Sequence, residues 1–226
     1  MNLLVIGVLH CLPVLSAATA DGAEIEVLRS YFDASLRQRS AQLGTQMKAS
    51  IDASLPKLEK RSHLSVLRST SNLGQVSYEV LTSSGDKTVR QEVISRYLTA
   101  DSEPRDARSL AIAPTNYRFR LKSATGSGKR LIYIFQLTPK KKKPGLFEGE
   151  LWVDGETGMP LRESGQLVKN PSKFIKRIRF VREYEIRGGV AIPIRIETTV
   201  DARLVGRAEL RIEFSKFNPI REECIR

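Results

Sequence analysis

Four groups of side chains in this sequence could do chemistry: the histidines, the carboxylates between Glu148 and Glu163, the cysteines, and the unbroken run Lys140 to Lys143. His10 falls in an apolar leader, so His63 is the one imidazole of the mature chain. No serine with an aspartate partner stands around it in a nucleophile motif, and it reads as an ordinary loop or strand residue. Glu148, Glu150, Asp154 and Glu163 could pair for glycoside chemistry. Glu148 and Glu150, however, alternate with apolar neighbours and belong most simply to a solvated strand face. No Cys or His cluster has metal-ligand spacing, and "GSG" at 126–128 is a hairpin turn rather than a phosphate loop. The expectation is a protein that is not an enzyme and carries no cofactor.

What remains is charge. The 226 residues hold 37 Lys and Arg against 25 Asp and Glu, a formal charge of +12, which draws the chain to phosphates, phospholipid headgroups or lipopolysaccharide. The leader narrows the choice. Leu3 to Leu9 is unbroken and apolar, the run resumes through Leu12 and Val14, and Ala18-Thr19-Ala20 gives a small-x-small cleavage pattern before Asp21. Residues 1–20 therefore read as a signal peptide cleaved after Ala20, and the product as periplasmic. The stretch falls short of the roughly 20 apolar residues of a membrane span. Val8-Leu9-His10 before Cys11 lacks the small residue of a lipobox, so no lipid anchor is expected. Cleavage removes no charged residue and leaves Cys224 as a single thiol, which leaves the core, not a disulfide, to hold the fold.

The elements that would position these groups follow from periodicity. Ile25, Leu28, Phe32 and Leu36 predict an amphipathic helix over 24–40. Met47, Ala49, Ile51, Ala53 and Leu55 alternate with polar residues and predict a strand ending at Pro56. Strands are expected near 64–68 and 75–81, a second helix over 86–101 with Asp86 as N-cap, and a connection over 101–114. Tyr117 to Lys122 and Arg130 to Leu137 form a hairpin. Further strands are expected over 146–154, 161–168, 174–186, 192–200 and 204–214, separated by turns rich in Gly, Pro and Asp.

So many alternating strands require an antiparallel sheet with one wet and one apolar face. Only the two helices are available to cover the apolar face. The predicted class is α+β: a curved antiparallel sheet, a half-barrel, with helices covering its concave face, in a single domain over 21–226. If two modest helices leave that concavity partly empty, the remainder is an apolar ligand site.

The stretch "YRFRLKSATGSGKRLIYIFQLTPKKKKPGLFEGELWVDGETGMPLRESG", with its strand ending in "VD" and its "tG.P" turn, resembles the LolA/LolB-like superfamily of bacterial envelope proteins. "KNPSKFIKRIRFVREYEIRGGVAIP" and "GRAELRIEF" are similar to the long paired strands of that superfamily, and the resemblance covers roughly 24–217. It implies a half-barrel with a helical lid that carries lipid or the acyl chains of a lipoprotein. The inward set under that reading is Leu151, Val153, Phe174, Ile178, Phe180, Ile194, Ile196, Leu210, Ile212 and Phe214, with most of them core. The alternative is an envelope protein–protein interaction module without lipid cargo.

Two features stay open between readings. Pro139 and Pro144-Gly145 bracket Lys140, Lys141, Lys142 and Lys143, which suits a solvated hairpin loop; the functional reading is a transient contact with an anionic membrane surface. Nucleic acid is not expected, because Phe147 and Trp152 do not form a stacking array. Trp152 should share the outer face with Glu148 and Glu150, as a covered aromatic or as a contact for a partner.

Overall fold

Ala208, Leu210 and Ile212 are buried while Arg207, Glu209 and Arg211 face water, and the same two-residue rhythm runs along Thr45–Leu55. The computed structural model describes residues 17–104, 106–127 and 131–220. It contains strands β1 (Thr45–Leu55), β2 (Lys60–Thr70), β3 (Val76–Gly85), β4 (Tyr117–Thr125) and β5 (Ile132–Pro139). These are followed by β6 (Phe147–Asp154), β7 (Pro160–Leu167), β8 (Ile175–Arg187), β9 (Val190–Ala202) and β10 (Gly206–Pro219). All ten join one antiparallel sheet in the order β3-β2-β1-β10-β9-β8-β7-β6-β5-β4. The α+β half-barrel expected from the alternation is the architecture observed.

Helix α1 spans Ala17–Ala41, longer than the predicted 24–40. The expected cleavage point after Ala20 falls in its first turn, and residues 1–16 and Cys224 lie outside the described residues. The second helix forms where expected, as α2 (Lys87–Val89), a π-helical stretch (Arg90–Ser95) and α3 (Arg96–Ser102). The Asp86 carboxylate accepts the Val89 N–H at 3.0 Å, the predicted cap. The π stretch has a packing reason. Val89 and Ile94 are both fully buried, and a spacing of five residues shares one face in a π turn but not in an α turn.

The differences from expectation are local. A short helix, α4 (Ala107–Leu110), occupies part of the predicted connection. Leu204 lies in the turn before β10, 83% exposed, and not on the apolar strand face. Phe174 precedes β8 and is 62% exposed, so it leaves the inward set; Pro171 and Ser172 bend the chain away before β8 begins. Among the described residues no helix is long and apolar enough to cross a membrane.

Candidate functional site: the concave face between two covers

Two helical covers rest on separate apolar patches of the concave face. Val27 and Tyr31 of α1 pack with Phe135, Leu137, Leu151, Val153 and Phe180. Phe32 meets Phe119 edge-on, with ring centres 5.4 Å apart. Close seating of α1 also needs Gly158, at φ +71°, because a Cβ there would lie 2.5 Å from the Ser30 carbonyl carbon. The Gln38 side-chain amide pairs with the Ala191 backbone at the far end of the helix, and Glu24 accepts the Leu121 N–H at 3.3 Å.

The second cover buries Val89 and Ile94 against Ile51, Leu64, Val66, Leu210 and Ile212. Its end is tied down by Asp101, which accepts the Tyr78 hydroxyl at 2.6 Å and Arg68 Nε at 3.2 Å. Burial, then the Asp101 charge, pushes the Tyr78 hydroxyl well above its ordinary pKa.

Between the covers lies a polar midline. Glu163 of β7 and Arg182 of β8 are direct cross-strand partners, and Arg182 Nη1 donates to Glu163 Oε2 at 3.2 Å. The guanidinium also sits 4.8 Å from the centre of the Phe180 ring. Burial alone would lower the Arg182 pKa, but Glu163, Tyr184 and Tyr97 beside it raise it above the usual arginine value. Tyr184 is raised by burial and then by Glu163, and Tyr31 by the same two causes. The pair is asymmetric: 46% of the Arg182 side-chain surface is open, against 10% for Glu163. An arginine on the concave face that stays half open marks the place where neither helix closes the sheet.

The structure divides the predicted apolar set three ways. Leu151, Val153 and Phe180 are buried under α1, and Leu210 and Ile212 under the second cover, with Ile196 and Phe214 partly buried against that patch. Ile178 and Ile194 are half-buried, Ile194 lining a small crevice with Met47, Ile192 and Phe214. Phe174 is elsewhere, at the loop tip already described. Lys140 to Lys143 form the exposed β5–β6 loop. Sequence reasoning missed Arg182, which looks like one more outward charge in "KRIRFVREYEIR"; its signal is that it keeps the parity of Phe180 and Ile178.

Three solved structures are similar to this chain. A LolA superfamily protein from Nitrosomonas europaea aligns with a TM-score of 0.44 and 14% identity, covering 86% of this chain and 93% of its own. A DUF1329 family protein from Desulfovibrio piger gives 0.42 and 12%, covering 85% and 92%. A domain from Vibrio parahaemolyticus, provisionally named as an outer membrane lipoprotein-sorting protein, gives 0.41 and 9%, covering 87% and 92%. Neither a protein-family model nor a curated protein matches the sequence.

The opposite, outer face is polar. A groove of about 630 Å³ crosses it, lined among others by Asp52, Arg61, His63, Glu197, Glu209 and Arg211. His63 Nδ1 stands 2.9 Å from Asp52 Oδ1, an exposed pair across β1 and β2. Trp152 takes the predicted outward position, donating to Glu150 at 3.2 Å, and Arg162 covers its ring at 5.1 Å. Lys122 and Trp152 together hold the Glu150 carboxyl below its ordinary pKa. Among the described residues no group of three or more His, Cys, Asp or Glu is arranged to hold a metal ion.

Proposed function

We propose that this protein is an exported, periplasmic binding protein that takes up lipid, or the acyl chains of a lipoprotein, between its two helical covers. One observation carries this reading: Arg182 is half open at the midline between the two apolar patches of the concave face. An acyl chain laid beside Ile178, Ile194 and Ile196 gains about 0.8 kcal/mol for each methylene buried. The anionic end of the same molecule then meets the guanidinium. Because each cover rests on its own patch, one can lift without dismantling the packing beneath the other. The resemblance of the strand and turn pattern to the LolA/LolB-like superfamily supports the same class of cargo.

A second reading, a docking module for another envelope protein with no lipid cargo, is favoured by the outer groove, whose mixed charges suit a polar partner surface. Native mass spectrometry with lipid extraction, on protein purified gently from a bacterial periplasm, separates the two. The expected result is a reproducible phospholipid or acylated adduct that Ile178→Asp abolishes without unfolding the protein. A clean unliganded mass, with no uptake of a fluorescent fatty acid, overturns the carrier and leaves the docking module to be pursued by crosslinking.

A further inference from the structure

The antiparallel order gathers the β1–β2, β5–β6, β7–β8 and β9–β10 connections at one end of the half-barrel. These four connections carry Lys57, Lys140 to Lys143, Lys169, Lys173 and Arg203, with Glu59 as the only acid among them. At the opposite end the turns 71–75, 155–159 and 188–189 contain no Lys or Arg, and the sequence between β4 and β5 contains Lys129 and Arg130, which lie outside the described residues. One rim of the molecule is therefore strongly cationic.

The same rim projects bare apolar side chains. Leu58, Phe174, Leu204 and Val205 are exposed, Leu204 most of all, and they stand at the tips of three different connections. Those connections are tied together. The Arg203 N–H donates to the Phe174 carbonyl at 2.8 Å, Arg203 Nε donates to the Lys173 carbonyl at 3.1 Å, and the Lys57 methylenes lie against Gly206. Leu73, at the other end, is 96% exposed, but its turn carries no charge.

We infer that this rim docks on an anionic phospholipid bilayer, with Phe174 and Leu204 inserted among the headgroups and the lysines around them on the lipid phosphates. Protruding apolar tips on the same rim as long flexible cations suit a fluid interface. A protein partner would find the wrong composition, since lysine is depleted at protein interfaces. A nucleic acid would find one aromatic and no stacking array. The run Lys140 to Lys143 thereby has a role as one quarter of the rim rather than as an isolated patch. This docking does not rest on the cargo reading, because the inserted tips belong to connections at the rim and not to the concave face.

The test is co-sedimentation of the mature protein with phosphatidylcholine vesicles containing about 30% phosphatidylglycerol, against pure phosphatidylcholine, at low and high salt. Binding to the anionic vesicles alone, falling with salt, is expected. The Phe174→Asp/Leu204→Asp double variant should bind at least about tenfold more weakly, and replacing Lys140 to Lys143 by Gln should weaken binding to a similar degree and flatten its salt dependence. Leu73→Asp should bind as the parent does. Circular dichroism checks that each variant is folded; all the altered side chains are exposed. Failure of the parent to sediment at low salt overturns the inference, as does parental binding by the Asp double variant or an equal loss in Leu73→Asp. A lipid-free mass from the periplasm would remove the cargo and leave this result standing.

Discussion

Gln38 and Ala191 are joined twice: the Gln38 amide donates to the Ala191 carbonyl, and the Ala191 N–H donates to Gln38 Oε1 at 2.8 Å. Ala191 is buried near the start of β9, so a side chain here completes the ladder that a neighbouring strand would otherwise supply. Gln38→Leu leaves both backbone groups without partners and should cost about 1–3 kcal/mol. The loss should be local to α1. Hydrogen exchange is expected to quicken along 22–41 and to change little in β1, β2 and β10; uniform quickening would mean that α1 is not a separable cover.

The Glu163–Arg182 pair should respond unequally to its two halves. Arg182→Leu strands a buried carboxylate, whereas Glu163→Gln leaves a guanidinium with nearly half its surface open to water. Urea unfolding should show a loss of about 2 kcal/mol for the first and well under about 1 kcal/mol for the second. Equal losses would mean that Glu163 is as well hydrated as its partner.

Alkaline pH should destabilise the fold before any arginine titrates. Burial holds Tyr31, Tyr78 and Tyr184 protonated in the folded state, with Glu163 adding to the effect on Tyr31 and Tyr184 and Asp101 on Tyr78. In the unfolded chain each ionises near its ordinary value of about 10. Their folded values are raised, so the stability they support is complete below pH 10 and is lost as pH rises through the folded values. Each should remove about 1.4 kcal/mol per pH unit between about pH 10 and its raised folded value. Urea titrations at pH 9 and 11 measure the slope, and Tyr78→Phe should make it shallower.

Much of this architecture is legible from alternation alone, and the places where it is not share a cause. In β1 and β10 apolar residues simply alternate with polar ones, and Asp86 announces a helix start that the structure confirms by its cap. Arg182 escapes notice, and Glu163 stands out only as a candidate catalytic carboxylate, because a charged pair turned inward carries the same letters as a solvated face. Phe174 and Leu204 mislead in the opposite sense, as apolar letters that extend a strand pattern beyond the point where the chain has already turned. The pairing of β1 with β10 has no local signature, because it depends on which edges are left once the neighbouring hairpins have formed.

Glycines mark a pinch between β6 and β7. Gly149 and Gly165 oppose each other, and a Cβ on Gly165 would lie 2.5 Å from the Glu148 carbonyl oxygen and 2.6 Å from Phe147 Cδ2. The missing side chain makes room for Phe147 and Phe180, whose rings meet edge-on 4.9 Å apart. Gly165→Ala should displace Phe147 and cost about 2 kcal/mol, read from the urea midpoint. An unchanged midpoint would show that the two rings have slack.

Ser54 reaches Glu209 across β1 and β10 at 3.4 Å although the two are 155 residues apart in the chain. The strand that joins the two halves of the sheet is thus the last to be synthesised. Until β10 arrives, the first three strands and the following six form two unconnected meanders, with β1 and β9 each presenting an unpaired edge. Closing so long a loop is slow compared with forming hairpins. During that wait the two unpaired edges are open to intermolecular strand pairing.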